Sequence, residues 1–141
     1  MPTTKINYSS LKLIVMDFSI NSATEPELFV NRTSVTFSRG VLECLSYPAF
    51  VQYLIDPKNR VFAVRACKSN KVKAKPFSKP REEQVTTVSS SVKAMHKAIS
   101  QLIPDYTDAK RYKVEGQFFA EEKVICFPMT DAEVKMFHKE E

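Results

Sequence analysis

The stretch from Phe50 to Cys67, FVQYLIDPKNRVFAVRAC, constrains the fold more than any other part of the chain. Two apolar-rich segments flank Asp56-Pro57-Lys58-Asn59. Proline presets φ at the second position of such a turn, and asparagine tolerates left-handed backbone. In the second segment Phe62, Val64 and Ala66 share one side, and Val61, Ala63, Arg65 and Cys67 the other, which is the period-two alternation of a strand. The spacing predicts a long hairpin with one wholly apolar face. The opposite face carries Arg65 among small residues.

The other elements are arranged around this hairpin. Leu11 to Phe18, LKLIVMDF, reads as a buried strand, and LFVNRTSVTFS reads as a hairpin turning at Asn31-Arg32-Thr33. Ser38 is placed to cap a short helix, RGVLECLSY, which Pro48 stops at or before Tyr47. Downstream, QVTTVSS is a strand candidate, and one of Ser89, Ser90 and Ser91 is placed to cap an amphipathic helix. Val92, Met95, Ile99 and Ile103 form its apolar stripe, and Pro104 ends it. A second long hairpin, RYKVEGQFFAEEKVICFPM, is expected to bulge or bend at Gly116. Thr130-x-x-Glu133 has the form of a capping box and announces a last helix through Phe137.

Strand, helix and hairpin follow one another from Ser34 to Cys67, and again from Gln84 to Phe127. One such unit cannot bury its sheet face alone, whereas two covering each other make one core. The expected fold is α+β, with a mostly antiparallel sheet built from two β-α-β-β halves plus a C-terminal helix. A single domain, 1–141, is expected, with halves at about 11–67 and 84–141 joined by a basic loop, 68–83.

Only two glycines occur in 141 residues, which excludes glycine-rich phosphate loops. No metalloprotease, nucleophile-elbow, CxxC, Walker or dinucleotide pattern is present, so no enzyme class and no cofactor are expected. Cys44, Cys67 and Cys126 are scattered and odd in number, which argues against a disulfide framework and for small buried side chains. His96 lies at the border of the helix faces and His138 near the end, both read as structural or solvated. Ser89-Ser90-Ser91 before a helix has the chemistry of an anion site, though a plain helix cap explains it as well. No apolar run of about 18 residues and no signal-type segment is seen, so a cytoplasmic protein without a membrane span is expected.

Charge is the unusual feature. Of 21 Lys and Arg residues, nine lie between Pro57 and Arg81 with no acid among them. The remaining chain has 12 basic against 16 acidic residues, a net of −4, so one window makes a mildly acidic protein basic, at +5 overall. Within it, Cys67 to Arg81 has two prolines and no regular period, and loops of this length are commonly functional or disordered. Lys68, Lys71, Lys73, Lys75, Lys79 and Arg81 could neutralise phosphates, and lysine suits phosphate better than bidentate base reading. Base or minor-groove contacts would then fall to Arg60, Arg65, Arg32 and Arg39. Phe77 either stacks on a base or anchors the loop to the core. A merely solvated loop accounts for the same residues.

The segment SVTFSRGVLECLSYPAFVQYLIDPKNRVFAVRAC resembles the swapped-hairpin units of the AbrB/SpoVT and MraZ families over about residues 34–67. The matching parts are the strand VTFS, the short helix GVLECL and the closing strand VFAVRAC. The resemblance implies a bacterial or phage-type DNA-binding transcriptional regulator, acting as a dimer or as a tandem pseudo-dimer. SYPAF stands where those families carry a Gly-Asp turn, and their N-terminal arginines are matched by Arg32 and Arg39. The functional expectation is non-enzymatic nucleic-acid binding. The alternative is an interaction or assembly module, including a homo-oligomer, in which an apolar sheet face or edge strand pairs with another chain.

Overall fold

The computed structural model describes residues 25–135. The strand expected at Leu11–Phe18 lies outside them, as do Phe137 and His138. The protein is α+β and dominated by antiparallel sheet, with two five-stranded sheets and two short helices among the described residues.

One sheet contains β1 (Glu27–Val30), β2 (Val35–Phe37), β6 (Val88–Ser90), β7 (Arg111–Glu115) and β10 (Glu133–Lys135), in the order β10-β7-β1-β2-β6. The other contains β3 (Phe50–Asp56), β4 (Val61–Cys67), β5 (Lys75–Pro76), β8 (Gln117–Phe119) and β9 (Val124–Pro128), in the order β5-β3-β4-β9-β8. We call them the first and second sheet. Their inner faces meet in one core. Leu28, Val30, Val35, Phe37, Tyr112 and Val114 come from the first sheet, and Val51, Phe62, Val64, Ile125 and Phe127 from the second. Phe37 stacks on Tyr53 and Phe62 across the layers, with ring centroids 6.1 and 6.3 Å apart.

The β3–β4 hairpin forms as its alternation predicts, with seven consecutive pairs from Phe50↔Cys67 to Asp56↔Val61. The Asp56 carboxylate accepts from the Asn59 backbone N–H (3.1 Å) and side-chain amide (2.8 Å). Those bonds hold its pKa below the usual carboxylate value. The left-handed residue of the turn is Arg60 (φ 57°) and not Asn59. The hairpin expected around Asn31-Arg32-Thr33 is the β1–β2 pair.

The two halves do not stack as separate units. β2 pairs with β6, β1 with β7 and β4 with β9, so each sheet is woven from both halves. The second long hairpin is divided for the same reason. β7 ends at Glu115 in the first sheet, and Gln117 already pairs with Cys126 in the second. Gly116 is the crossing point between the layers.

Helix α1 (Arg39–Cys44) and helix α2 (Lys93–Ser100) are both shorter than expected. Neither is capped by a serine side chain. Ser38 Oγ instead accepts from the Glu27 backbone N–H (2.9 Å) and donates to the Glu25 carbonyl (3.0 Å), tying α1 to the start of β1. Val92 is the N-cap of α2 and stands 59% exposed, outside the apolar stripe, while Ile99, Leu102 and Ile103 are buried. His96 Nε2 donates to the Asn31 carbonyl at 2.7 Å, which locks α2 onto the β1–β2 turn.

The capping-box pattern at Thr130 does not start a helix within the described residues. Met129–Asp131 form a 3-10 turn, and Glu133–Lys135 then pair with Lys113, Tyr112 and Arg111 of β7. The open edge of β7 offers those residues backbone partners, and sheet pairing prevails over the local signal. Among the described residues no helix is long and apolar enough to cross a membrane.

Candidate functional site

Alternation along the second sheet decides what its outer face presents. Val51, Val64, Ile125 and Phe127 point into the core. Their neighbours Phe50, Gln52, Arg65, Cys67, Val124, Gln117 and Phe119 therefore point out. Pairing places Gln52, Arg65, Val124 and Phe119 in one row across four strands. Phe119 is 44% exposed, which leaves a large part of its ring in solvent.

Beside that row lies a cleft of about 790 Å³, lined by Gln52, Arg65, Lys68, Asn70, Lys71 and Lys123 together with Ala66 and Cys67. All four charged side chains in the wall are cationic. Arg65 donates through Nε (3.2 Å) and Nη2 (2.8 Å) to Gln52 Oε1, and Gln52 Nε2 donates to the Val72 carbonyl (2.8 Å). This relay pins the basic loop to the sheet. Two successive turns, Lys71 N–H to Lys68 carbonyl (3.1 Å) and Ala74 N–H to Lys71 carbonyl (3.2 Å), fold the loop back on itself. Lys123 enters from the turn before β9, held by a bond from the Ala66 N–H to its carbonyl (3.0 Å).

The outer face of the first sheet is different. Lys113 pairs with Glu27 (3.4 Å) and Glu115 (3.8 Å), and Lys135 with Glu133 (3.7 Å). Charges of both signs neutralise each other there. On the second sheet the nearby acids are Asp56, in the far turn, and Glu121-Glu122, next to Lys123 in the chain.

The ten basic residues singled out in the sequence do not form one patch. Arg65, Lys68 and Lys71 converge at the cleft. Lys73 and Lys75 line a separate groove between the sheets. Lys79 is near Gln84, whose Oε1 accepts from its backbone N–H (2.7 Å). Arg81 is paired with Glu43 and lies over the Tyr47 ring, 5.6 Å from its centroid. Arg39 donates to Tyr47 Oη (2.9 Å) and the Val85 carbonyl (3.2 Å), and Tyr47 Oη donates to Glu43 (2.8 Å). Arg39 and Arg81 thus fasten the end of the loop to α1. Arg60 donates to the Leu102 carbonyl (3.2 Å) just beyond α2, and Arg32 to the Asp108 carbonyl (3.3 Å). Phe77 packs edge-on against Phe37, 5.3 Å between centroids, and anchors the loop to the core.

Sequence reasoning missed Lys123, Gln52, Phe50 and Phe119. The period-two pattern carried a signal for the last three, since each falls on the Arg65 side once the strands are paired. Lys123 has no such signal, because only the β4–β9 pairing brings it to the loop. Burial raises the Cys126 thiol, as it does that of Cys44, so neither is a ready thiolate. Among the described residues no three His, Cys, Asp or Glu side chains gather as a metal site. No protein-family model, curated protein or solved structure matches the chain.

Proposed function

We propose that the protein binds nucleic acid without catalysing a reaction, and that it does so across the outer face of the second sheet. The carrying observation is the contrast between the two outer faces: neutralised charge on the first, and the four-cation Arg65–Lys68–Lys71–Lys123 cleft beside an exposed Phe119 on the second. Phosphates occupy the cleft, where each contact releases counterions. Phe119 offers its ring to a base, and a sheet face that combines cations with an aromatic suits a single strand better than a duplex. The relay through Gln52 holds Arg65 as a positioned donor, so the cleft sets the register of the strand and stacking adds affinity with little sequence preference. A regulatory role, which the resemblance over about residues 34–67 would imply, fits this reading.

The test is binding of a fluorescent single-stranded oligonucleotide and its duplex at two salt concentrations. Single-strand binding is expected to weaken with salt, with a slope of roughly −0.7 per phosphate contact. Replacing Lys68, Lys71 and Lys123 by Gln is expected to reduce that slope by about two. Absence of binding at low salt overturns the proposal.

A second reading rests on β8, the edge of its sheet among the described residues, whose Phe118 and Phe119 are 38% and 44% exposed. Such an edge is suited to strand addition by another copy of the chain. A monomeric mass at high concentration, unchanged by Phe119→Lys, would count against it.

A further inference from the structure

The groove that takes Lys73 and Lys75 is independent of the nucleic-acid reading. Between β3 and β5 of the second sheet on one side and β6 of the first sheet with helix α2 on the other, the layers part into an open trough of about 850 Å³, within the size range of small-molecule sites. Short edges account for the opening. β5 has two residues, one of them Pro76, which lacks a backbone donor, and β6 has three, so neither sheet reaches far enough to close the gap.

Tyr53, Phe62, Phe77, Met95 and Ile99 line the trough, an apolar surface made by both layers. Its borders leave apolar area in water, with Ile55 47% and Val92 59% exposed. Among the described residues Lys73 and Lys75 are its only charged lining residues, both exposed, and Ser89 and Ser90 add hydroxyls on the side of β6. Lys75 is fixed in register opposite Val51, which places its backbone on the wall and leaves its exposed side chain free to reach along it. Burial pushes the Tyr53 hydroxyl up to about 12, so it stays neutral and the two lysines alone set the charge of the groove.

An apolar trough with cations on one side and, among the described residues, no carboxylate in its wall is complementary to a molecule with an apolar tail and a negative head. The geometry points to a binding site for a single-chain anionic amphiphile of the fatty-carboxylate class, its tail along the partly exposed Tyr53, Phe77 and Met95 and its carboxylate between Lys73 and Lys75. A neutral head would leave both lysines without a counter-charge. A polynucleotide would leave the apolar surface without a partner.

The test titrates the full chain with dodecanoate below its micelle concentration, read by amide NMR shifts, with dodecan-1-ol as the uncharged comparator. Dodecanoate is expected to bind saturably and to shift Phe77, Met95 and Ile99. Lys73→Gln with Lys75→Gln is expected to weaken it about three- to tenfold, as loss of two exposed ion pairs would, and to leave the alcohol unchanged. Ala98→Phe, which fills the trough, is expected to abolish binding of both ligands. No saturable binding, equal affinity for acid and alcohol, or an unaltered double variant overturns the proposal. Both lysines are on the surface, so the double variant decides the matter even where Ala98→Phe unfolds the protein.

Discussion

Gly116 shows how much a single position determines in this fold. It is the one residue between a strand of the first sheet and a strand of the second, and its N–H still donates to the Pro26 carbonyl at 2.8 Å. A Cβ there would lie 2.5 Å from Ile125 Cγ2 and 2.7 Å from Phe127 Cε1, and both of those side chains are fully buried. Neither is the free end of a flexible chain, so Gly116→Ala is expected to destabilise by about 1–3 kcal/mol, read by chemical denaturation. Tyr53 makes a different demand. Enclosed by the rings of Phe37, Phe62 and Phe77, its hydroxyl is pushed up to about 12, against about 10 in an unfolded chain. Below pH 10 both states keep the proton and the stability contribution is whole. Between about 10 and 12 only the unfolded chain releases it, so stability falls as pH rises through that window and levels off above it. Denaturation curves across alkaline pH should show this decline, and Tyr53→Phe should remove its share. A decline of the same size in the variant would mean that other groups cause it.

At the scale of elements, the β3–β4 hairpin was legible because alternation, turn chemistry and two apolar-rich flanks agree. The last helix was misread because Thr130-x-x-Glu133 is a local signal, and the free edge of β7 that captures Glu133–Lys135 is not local. The division of the basic run was illegible for a related reason. Lysines four residues apart in a loop look equivalent in a string, yet Lys71 faces the cleft and Lys75 the groove because Lys75 pairs with Val51 of β3. Gln52 is the hinge of that arrangement, since it bonds Arg65 on one side and the Val72 carbonyl on the other. Gln52→Leu keeps the size and the net charge but cuts both bonds. Hydrogen exchange in residues 68–74 is expected to accelerate, and nucleic-acid affinity to fall by about three- to tenfold, the net worth of one ordinary hydrogen bond. Unchanged exchange with weaker binding would assign Gln52 to direct contact and not to holding the loop.

For the molecule as a whole, two sheets woven from both chain halves produce one outer face whose charges pair off and one that is cationic, although the sequence distributes its acids widely. The first face neutralises itself through Lys113, Glu27, Glu115, Lys135 and Glu133, so it gains nothing from a polyanion. The second concentrates cations at one end of the sheet, and Glu121 and Glu122 lie next to Lys123 at that same end. Exposed like charges raise the cost of bringing a phosphate near, and salt screens the effect within a Debye length of about 8 Å at physiological ionic strength. If the cleft is where phosphates sit, replacing Glu121 and Glu122 by Gln should tighten single-strand binding at low salt, and the gain should shrink as salt rises. The same exchange at Glu115 and Glu133, on the opposite sheet, changes net charge by the same amount and should tighten binding less. Equal gains from the two pairs would mean that overall charge, and not the Arg65 cleft, governs attraction. A gain confined to the Glu121–Glu122 pair would fix the path of the strand past Lys123 and toward Phe119.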